Sequence, residues 1–338
     1  MFKVFCRIIA FFICILSGKA NAQLVDSIKN HIDSSLYILK QHSLYAGHVD
    51  WKTVEQKVYA KAATAVTKAQ TFAALTIAFK ALGDKHAAYY QYDDAFKLSD
   101  SALVARYTDS IRAAWTKGPK VTNKMIGNIA YISIPFMGVN KQKDIDWYSN
   151  WVYDTIIKLS NNNPRAWVID LRLNGGGNIR PMLTGLAPFF KDGIVSYYID
   201  RNGKAMEPGS FKNGEFQIDG ITQASLKNKK EIYIDTKVAV LIGAGTGSSG
   251  EGVAAVFKQR KNTKLFGEIS AGRANATNGF VFDDNQSYYL ISTAYLGDKN
   301  KKALLESVTP NVYVKNNDAF GNLLADNAVI AALKWLKQ

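Results

Sequence analysis

The second part of the sequence alternates between short β-rich runs and amphipathic helical stretches. The β-rich runs lie at positions 129–134, 166–171, 238–242 and 288–292. Helical periodicity lies between them, for example over residues 147–159 and 251–259. Buried parallel strands form nearly continuous apolar runs, and the helices that join them cover the sheet. Residues 119–338 are therefore predicted to form an α/β domain with a largely parallel sheet.

The preceding segment, residues 23–118, is predicted to be a helical N-terminal domain. Its apolar residues recur at helical spacing, as in the stretch 73–82, and it contains few glycines or prolines. Asp50 is a typical N-cap for a helix that follows it, and Gly83 is a typical C-terminal cap. The sequence thus predicts two domains, each with a core of its own.

The first 22 residues have the pattern of a secretory signal peptide. Lys3 and Arg7 precede an apolar run over residues 8–16, and small residues end at Ala22. The run is much shorter than the ~20 apolar residues that cross a bilayer, so we expect no stable membrane insertion. We predict cleavage before Gln23 and export of the protein to the periplasm or the exterior.

Cysteine content and charge exclude several classes of function. Both cysteines, Cys6 and Cys14, lie inside the predicted signal segment. The rest of the chain therefore has no thiol nucleophile and no cysteine ligand for zinc, and we predict neither a metal nor a cofactor. The chain has 42 Lys and Arg against 28 Asp and Glu, a formal net charge of +14. Because the basic residues are scattered and not interleaved with aromatics, nucleic acid is not the expected partner.

Three consecutive glycines, Gly175 to Gly177, directly follow the second β-rich run and precede a predicted helix. Glycine permits positive φ and a close approach of the backbone to a ligand, and a helix start offers free N–H groups. The glycines are adjacent and no Lys-Ser or Lys-Thr follows, so the loop is neither a P-loop nor a dinucleotide fingerprint. Since a tight turn seldom needs three glycines, we interpret the loop as a candidate anion-binding element.

A second turn of small residues, 243–251, follows the third β-rich run and carries Ser248 and Ser249. Small neighbours let a carbonyl group approach a serine hydroxyl, and a helix start favours developing negative charge. Ser248 and Glu251 also have the spacing of a helix capping box. Neither serine fits the G-x-S-x-G pattern of a nucleophile elbow. The local pattern alone leaves two interpretations open, a nucleophile and a helix cap.

All the histidines lie in the first third of the chain, at His31, His42, His48 and His86. His86 follows the predicted helix cap, and a lone histidine at such a junction is more commonly an ordinary residue than a catalytic base. If a histidine is the base for Ser248, the active site must be shared between the two predicted domains.

Together and in this order, these segments resemble the tail-specific (C-terminal processing) protease family, in its branch with the tricorn core and the retinoid-binding-protein-like modules. The shared motifs are L-x-D-x-H at Leu82–His86, D-x-R-x-N-x-G-G at Asp170–Gly177, T-x-S-S-G-E at Thr246–Glu251, G-E at Gly267–Glu268 and a G-V-x-P-D-like run at Ser307–Asn311. The resemblance implies a helical N-terminal domain followed by a ClpP/crotonase-like ββα catalytic core. It also implies a serine peptidase that acts on a peptide or an unfolded protein. Only residues 87–118 separate the histidine from the α/β domain, which is too few for a PDZ module.

The resemblance also implies roles for individual residues. Ser248 is the nucleophile and His86 the general base. The oxyanion hole is formed by backbone N–H groups of Ser249, Gly175 and Gly176. Where the bacterial processing proteases have a lysine as base, this chain has Arg273, which stays protonated and cannot serve as one.

The acid that orients the histidine departs from the family pattern. Leu304 stands at the position of the family's glutamate, so Glu306 is the candidate acid, and Asn311 replaces the usual aspartate. These departures leave a second interpretation open, a weak or non-catalytic module that holds a peptide or an apolar ligand. A crotonase-like acyl-CoA enzyme is a third interpretation, disfavoured because CoA is cytoplasmic and export is predicted.

Overall fold

The structure is a computed structural model that describes residues 24–118, 120–304 and 307–338. The predicted signal segment 1–22 and the candidate acid Glu306 lie outside these residues. Within the three described ranges, no helix is both long and apolar enough to cross a membrane.

Helices dominate the first described range, and one β-hairpin lies among them. In chain order the elements are α1 (Asp26–His42), α2 (Trp51–Ala62), α3 (Phe72–Leu82), β1 (Ala88–Gln91), β2 (Asp94–Lys97), α4 (Ser101–Ala105) and α5 (Asp109–Thr116). Both predicted caps are confirmed. Asp50 Oδ1 accepts a hydrogen bond from the Thr53 N–H at 3.2 Å, and Gly83 ends α3 with φ +68°. The hairpin β1–β2 was not predicted from the sequence.

The rest of the chain alternates strands and helices. Its elements are β3 (Thr122–Ile126), β4 (Ile129–Ser133), α6 (Gln142–Ser160), β5 (Ala166–Asp170), α7 (Ile179–Gly185), β6 (Gly193–Ile199), β7 (Ala205–Lys212), β8 (Glu215–Ile218), β9 (Ile221–Thr222), β10 (Lys237–Ile242), α8 (Ser249–Lys258), β11 (Thr263–Gly267), β12 (Asn275–Phe282), β13 (Ser287–Asp298), β14 (Val312–Tyr313) and α9 (Asn327–Leu336).

The predicted parallel sheet has the strand order β14-β11-β10-β5-β4-β3. Every neighbouring pair in it is parallel except β3–β4. Leu241 of β10 lies opposite Asp170 of β5, so these strands end at the same edge of the sheet. The glycine loop and the serine turn therefore leave the sheet side by side, where ligands bind in open α/β sheets.

A second, antiparallel sheet has the order β2-β1-β13-β6-β7-β8-β9, and β12 pairs with β13. It contains the fourth β-rich run, residues 288–292, which the sequence analysis grouped with the parallel sheet. That grouping was wrong because β13 pairs with β12 through a tight turn in which Asp283, Asp284 and Asn285 all have positive φ. Such a turn joins antiparallel strands, whereas parallel strands need a longer crossover.

Apolar side chains form three packed clusters. In β5, Ile169 packs with α6, α7 and α8, whereas its neighbour Val168 packs with α9, since successive strand residues point to opposite faces. The third cluster lies beneath α1 to α3 and includes Tyr89 of β1 and Tyr289 of β13, with ring centroids 4.9 Å apart. The helical segment is thus joined to the rest of the chain through the antiparallel sheet.

Candidate active site

Ser248 lies at the carboxyl end of β10, immediately before α8. Its backbone has φ +52° and ψ −119°, a conformation that side-chain-bearing residues rarely adopt. Residues held in such regions typically cost about 1–3 kcal/mol and cluster at functional sites. An N-cap residue usually has ordinary extended φ and ψ. A capping role therefore does not account for the conformation of Ser248.

The glycine loop packs directly against Ser248. A Cβ atom added to Gly176 would lie 2.6 Å from the Ser248 Cβ and 3.2 Å from its Oγ, and Gly176 has φ +116°. The N–H of Gly247 donates to the carbonyl of Asn174 at 2.9 Å, which joins the two turns. The structure thus brings together the two loops that the sequence singled out, and only glycine fits at their contact.

The predicted oxyanion donors are not equivalent. The Gly176 N–H donates to the Asn174 side-chain oxygen at 3.1 Å, so it is engaged within the loop. In the described ranges, the Gly175 N–H has no hydrogen-bond acceptor. Ser249 is the first residue of α8, where the N–H has no partner within the helix, and its hydroxyl donates to the Gly177 carbonyl at 3.0 Å.

Glu251 holds the serine turn in place. Its side chain is fully buried, and Oε2 accepts hydrogen bonds from the N–H groups of Ser248 and Arg273, each at 2.8 Å. Oε1 accepts from the Gly272 N–H at 2.8 Å and from the Ser270 hydroxyl. Burial raises the pKa of Glu251, and these four donors oppose that rise. The sequence pattern identified Glu251 only as part of a helix cap, whereas it also fixes the Arg273 loop.

His86 follows α3 and is largely buried. Its backbone N–H donates to Asp84 Oδ1 at 2.9 Å, and Asp84 Oδ2 accepts from the Ser292 N–H of β13 at 2.9 Å. Burial lowers the pKa of His86, Asp84 opposes that fall and the Arg273 cation adds to it, and the resulting pKa is about 4. The imidazole is therefore neutral at neutral pH, as a general base must be.

The hydrogen bonds predicted for the His86 side chain are not found among the described residues. Among the described residues, the His86 Nδ1 atom is buried without a hydrogen-bond partner, and no hydrogen bond joins His86 to Ser248. Leu304, at the position of the family's glutamate, packs against the apolar cluster of α6, α7 and α8. Asn311 instead has a structural role, since its Oδ1 accepts from the Leu265 N–H at 2.8 Å.

A buried charge cluster supports the base of the glycine loop. The Arg172 guanidinium is completely buried, donates to both carboxylate oxygens of Asp170 and of Asp326, and lies 3.6 Å from Asp318. Asp326 is also the N-cap of α9. Sequence reasoning quoted Asp170 and Arg172 as parts of a motif but missed both distant aspartates. The only sequence signal for Asp326 was its position before an apolar helical stretch.

A cleft of about 760 Å³ opens beside Ser248. One part of its wall comes from Gly177, Asn178, Ser248 and Ser249. Other parts come from β7, β8, β9, β12 and β13, and His86 is not among the lining residues. In the described ranges, no group of three or more His, Cys, Asp or Glu residues could hold a metal ion. The cleft thus offers an extended ligand a path past the serine turn.

Some known sequences match nearly the whole chain, and others match only part of it. Residues 128–314 match peptidase family S41. The nisin-resistance protein of Lactococcus lactis subsp. lactis is 28% identical over 333 residues, which covers 98% of this chain and 94% of that protein. The carboxy-terminal processing protease CtpA of Bacillus subtilis is 24% identical over 159 residues, 47% of this chain and 30% of that protein.

Solved structures with the same fold include two that this chain covers almost completely. A lipoprotein from Streptococcus agalactiae superposes with a TM-score of 0.70 at 20% identity, over 93% of this chain and 98% of that one. The photosystem II D1 C-terminal processing protease gives a TM-score of 0.60 at 14% identity, over 86% and 94%. These likenesses confirm the predicted fold class, a helical N-terminal region followed by an α/β core.

Proposed function

The chain belongs to peptidase family S41, and on that premise we propose that it is a serine peptidase with Ser248 as nucleophile and His86 as general base. The observation that carries this proposal is the strained backbone of Ser248, packed against Gly176 at the carboxyl edge of the parallel sheet. Strain of that kind presents a hydroxyl to a ligand and serves no purpose in a simple helix cap.

The chemistry proposed is acyl transfer. The neutral imidazole of His86 takes the proton of the Ser248 hydroxyl as the oxygen attacks a peptide carbonyl, and then returns that proton to the leaving amine. Water hydrolyses the resulting acyl-enzyme in the same way. Because His86 makes no hydrogen bond to Ser248 in the described conformation, the first proton transfer requires a shift of the imidazole or one bridging water.

The negative charge that develops on the carbonyl oxygen needs hydrogen-bond donors. We assign this role to the N–H of Ser249 at the start of α8 and to the N–H of Gly175. The Gly176 N–H joins them only if it releases the Asn174 side chain, to which it donates at 3.1 Å. Glu306 remains the proposed acceptor for His86 Nδ1, which has no hydrogen-bond partner among the described residues.

The proposed substrates are peptides or unfolded proteins that enter the cleft beside Ser248. The protein is proposed to act after export, on the basis of residues 1–22. A relative that is 28% identical is named a nisin-resistance protein, so nisin belongs among the substrates to be tested.

A non-catalytic binding module is a second candidate function. It is favoured by one observation, the apolar packing of Leu304 where the family has an acid, which leaves His86 Nδ1 without a described partner. A module of this kind would bind a peptide saturably, release no product, and bind equally well after Ser248→Ala.

A fluorophosphonate probe tests the peptidase proposal directly, because it reacts only with an activated serine. We expect the wild type and Ser249→Ala to be labelled, and Ser248→Ala and His86→Ala to lose labelling. Ser249→Ala is the matched control, since it removes the neighbouring hydroxyl and keeps the backbone N–H. Equal labelling of all four proteins, or of none, would exclude the proposed mechanism.

A further inference from the structure

The cleft beside Ser248 carries a charge opposite to that of the chain. The chain has a formal net charge of +14, yet the charged residues that line the cleft are Arg180, Glu207 and Asp219. No lysine lines it in the described ranges. The local formal charge is therefore −1 in a protein with a large excess of cations.

Glu207 lies on β7, and Asp219 directly follows β8, the strand that pairs with β7. The Asp219 N–H donates to the carbonyl of Pro208 at 2.9 Å, next to Glu207 in the chain. Neither carboxylate has a hydrogen bond or ion pair with another described residue. The one cation that lines the cleft in the described ranges, Arg180, donates from Nε to the side chain of Asn178 at 3.2 Å, and Asn178 lines the same cleft.

A β-bulge directs Glu207 into the cleft. The pairing of β6 with β7 changes register between Ser196 and Tyr198, so Glu207 and Pro208 bulge out of the regular ladder. Bulges re-aim side chains and are over-represented beside active sites. Tyr198 lines the same cleft. Burial and Glu207 raise the pKa of its hydroxyl and Arg180 opposes that rise, so the hydroxyl stays protonated.

We propose that Glu207, assisted by Asp219, selects a lysine or arginine side chain of the peptide whose scissile carbonyl lies at Ser248. Unpaired carboxylates accept strong charge-assisted hydrogen bonds from an ammonium or a guanidinium group. The same charges repel acidic side chains, which adds discrimination between substrates. This inference rests on the proposed peptidase function, and it names Glu207 and Asp219 as specificity-determining residues.

Matched fluorogenic peptides test this inference. They differ at a single position next to the cleaved bond, which is Lys, Leu or Glu, and this position is varied on each side of the bond in turn. We expect the wild type to prefer Lys, and Glu207→Gln to lower kcat/KM for the Lys peptide about tenfold while leaving the Leu peptide unchanged. Asp219→Asn should act in the same direction, and added salt should weaken the preference. Glu231→Gln is the control, since Glu231 is exposed and does not line the cleft.

Charge reversal at Glu207 should create a new substrate preference, which a misfolded variant could not show. Glu207→Lys should shift the preference from the Lys peptide to the Glu peptide. Suppose that the wild type is labelled at Ser248 and cleaves peptides, but Glu207→Gln and Glu207→Lys rank the Lys, Leu and Glu peptides by kcat/KM in the same order as the wild type. The specificity inference is then wrong and the peptidase proposal stands. If the wild type neither reacts with the probe nor cleaves any peptide, the peptidase proposal fails and the inference fails with it.

Discussion

The backbone N–H of Ser248 donates a 2.8 Å hydrogen bond to the buried carboxylate of Glu251. The same carboxylate oxygen accepts from the Arg273 N–H, and the Arg273 cation acts on the pKa of His86. One buried side chain therefore connects the proposed nucleophile to the surroundings of the proposed base.

Glu251→Gln should disrupt this arrangement. A neutral amide has one acceptor oxygen instead of two, so some of the four donors lose their partner, at about 1–3 kcal/mol of stability for each buried group. We expect the rate of fluorophosphonate labelling to fall by about 100-fold, comparable to the loss of an oxyanion donor. Labelling rates and urea denaturation measure the two effects.

A milder change provides the control for Glu251. Ser270→Ala removes one donor to Oε1 and leaves the bonds of Oε2 to Ser248 and Arg273 intact. It should change labelling much less than Glu251→Gln. Equal rates in the two variants would show that the bond from Glu251 to Ser248 does not position the nucleophile.

The low pKa of His86 gives a distinctive pH dependence. With a folded-state pKa of about 4 instead of the ordinary 6.5, the imidazole stays neutral through mildly acidic pH. Activity should therefore fall only as the pH approaches about 4, and a pH profile of kcat/KM measures this decrease. An inflection near 6.5 instead of near 4 would contradict the burial of the imidazole.

The same shift has a consequence for stability. Below pH 6.5 the unfolded chain takes up a proton at His86 that the folded chain does not, so falling pH favours unfolding until about pH 4. Arg273→Met removes a cation that lowers the pKa of His86. It should therefore move the decrease in activity to higher pH, and it should make the stability loss smaller by ending it at a higher pH. No movement in Arg273→Met would show that Arg273 does not act on the imidazole.

The contact between the two active-site loops can be tested at Gly176. An added Cβ would lie 2.6 Å from the Ser248 Cβ at φ +116°, so Gly176→Ala should abolish labelling and destabilise the protein by about 1–3 kcal/mol. Gly193→Ala is the matched control, because Gly193 has φ +142° and nothing within 4 Å of the added atom. The control should lose some stability and retain labelling. Similar labelling of the two variants would argue against close packing at the nucleophile.

Features that depend on local pattern were predictable from the sequence. The caps at Asp50 and Gly83 follow from single residues at helix ends, and the parallel sheet follows from buried apolar runs. The meeting of the glycine loop with Ser248 follows from topology, since parallel strands end at one edge of a sheet.

Features that depend on distant pairing were not predictable. The strand Ala88–Gln91 is short and pairs with β13, some 200 residues later in the chain. Its residues showed no periodicity of their own, so the hairpin was missed within a helical segment. Asp318 and Asp326 meet Arg172 only after folding, and no local pattern joins them.

Two buried aspartates near Arg172, Asp326 and Asp318, should differ in their contribution to stability. Asp326 accepts two hydrogen bonds from Arg172, at 2.9 and 2.8 Å, and also caps α9. Removing one partner from a buried ion pair costs about 3–5 kcal/mol. Asp326→Ala should therefore destabilise the protein by about that amount, which urea denaturation measures.

Asp318→Asn should behave differently, although Asp318 is equally buried and belongs to the same cluster. One of its carboxylate oxygens accepts no hydrogen bond in the described part of the chain, although it lies 3.6 Å from the Arg172 guanidinium, and burial raises the pKa of Asp318. A raised carboxyl pKa means that the folded state binds the proton more tightly, so the stability contributed by Asp318 increases as the pH falls. A neutral amide mimics the protonated form, and Asp318→Asn should be neutral or stabilising at pH 7. The difference in free energy of unfolding between the two variants should shrink in acid. If Asp318→Asn lost as much stability as Asp326→Ala, the Asp318 charge would be needed by Arg172.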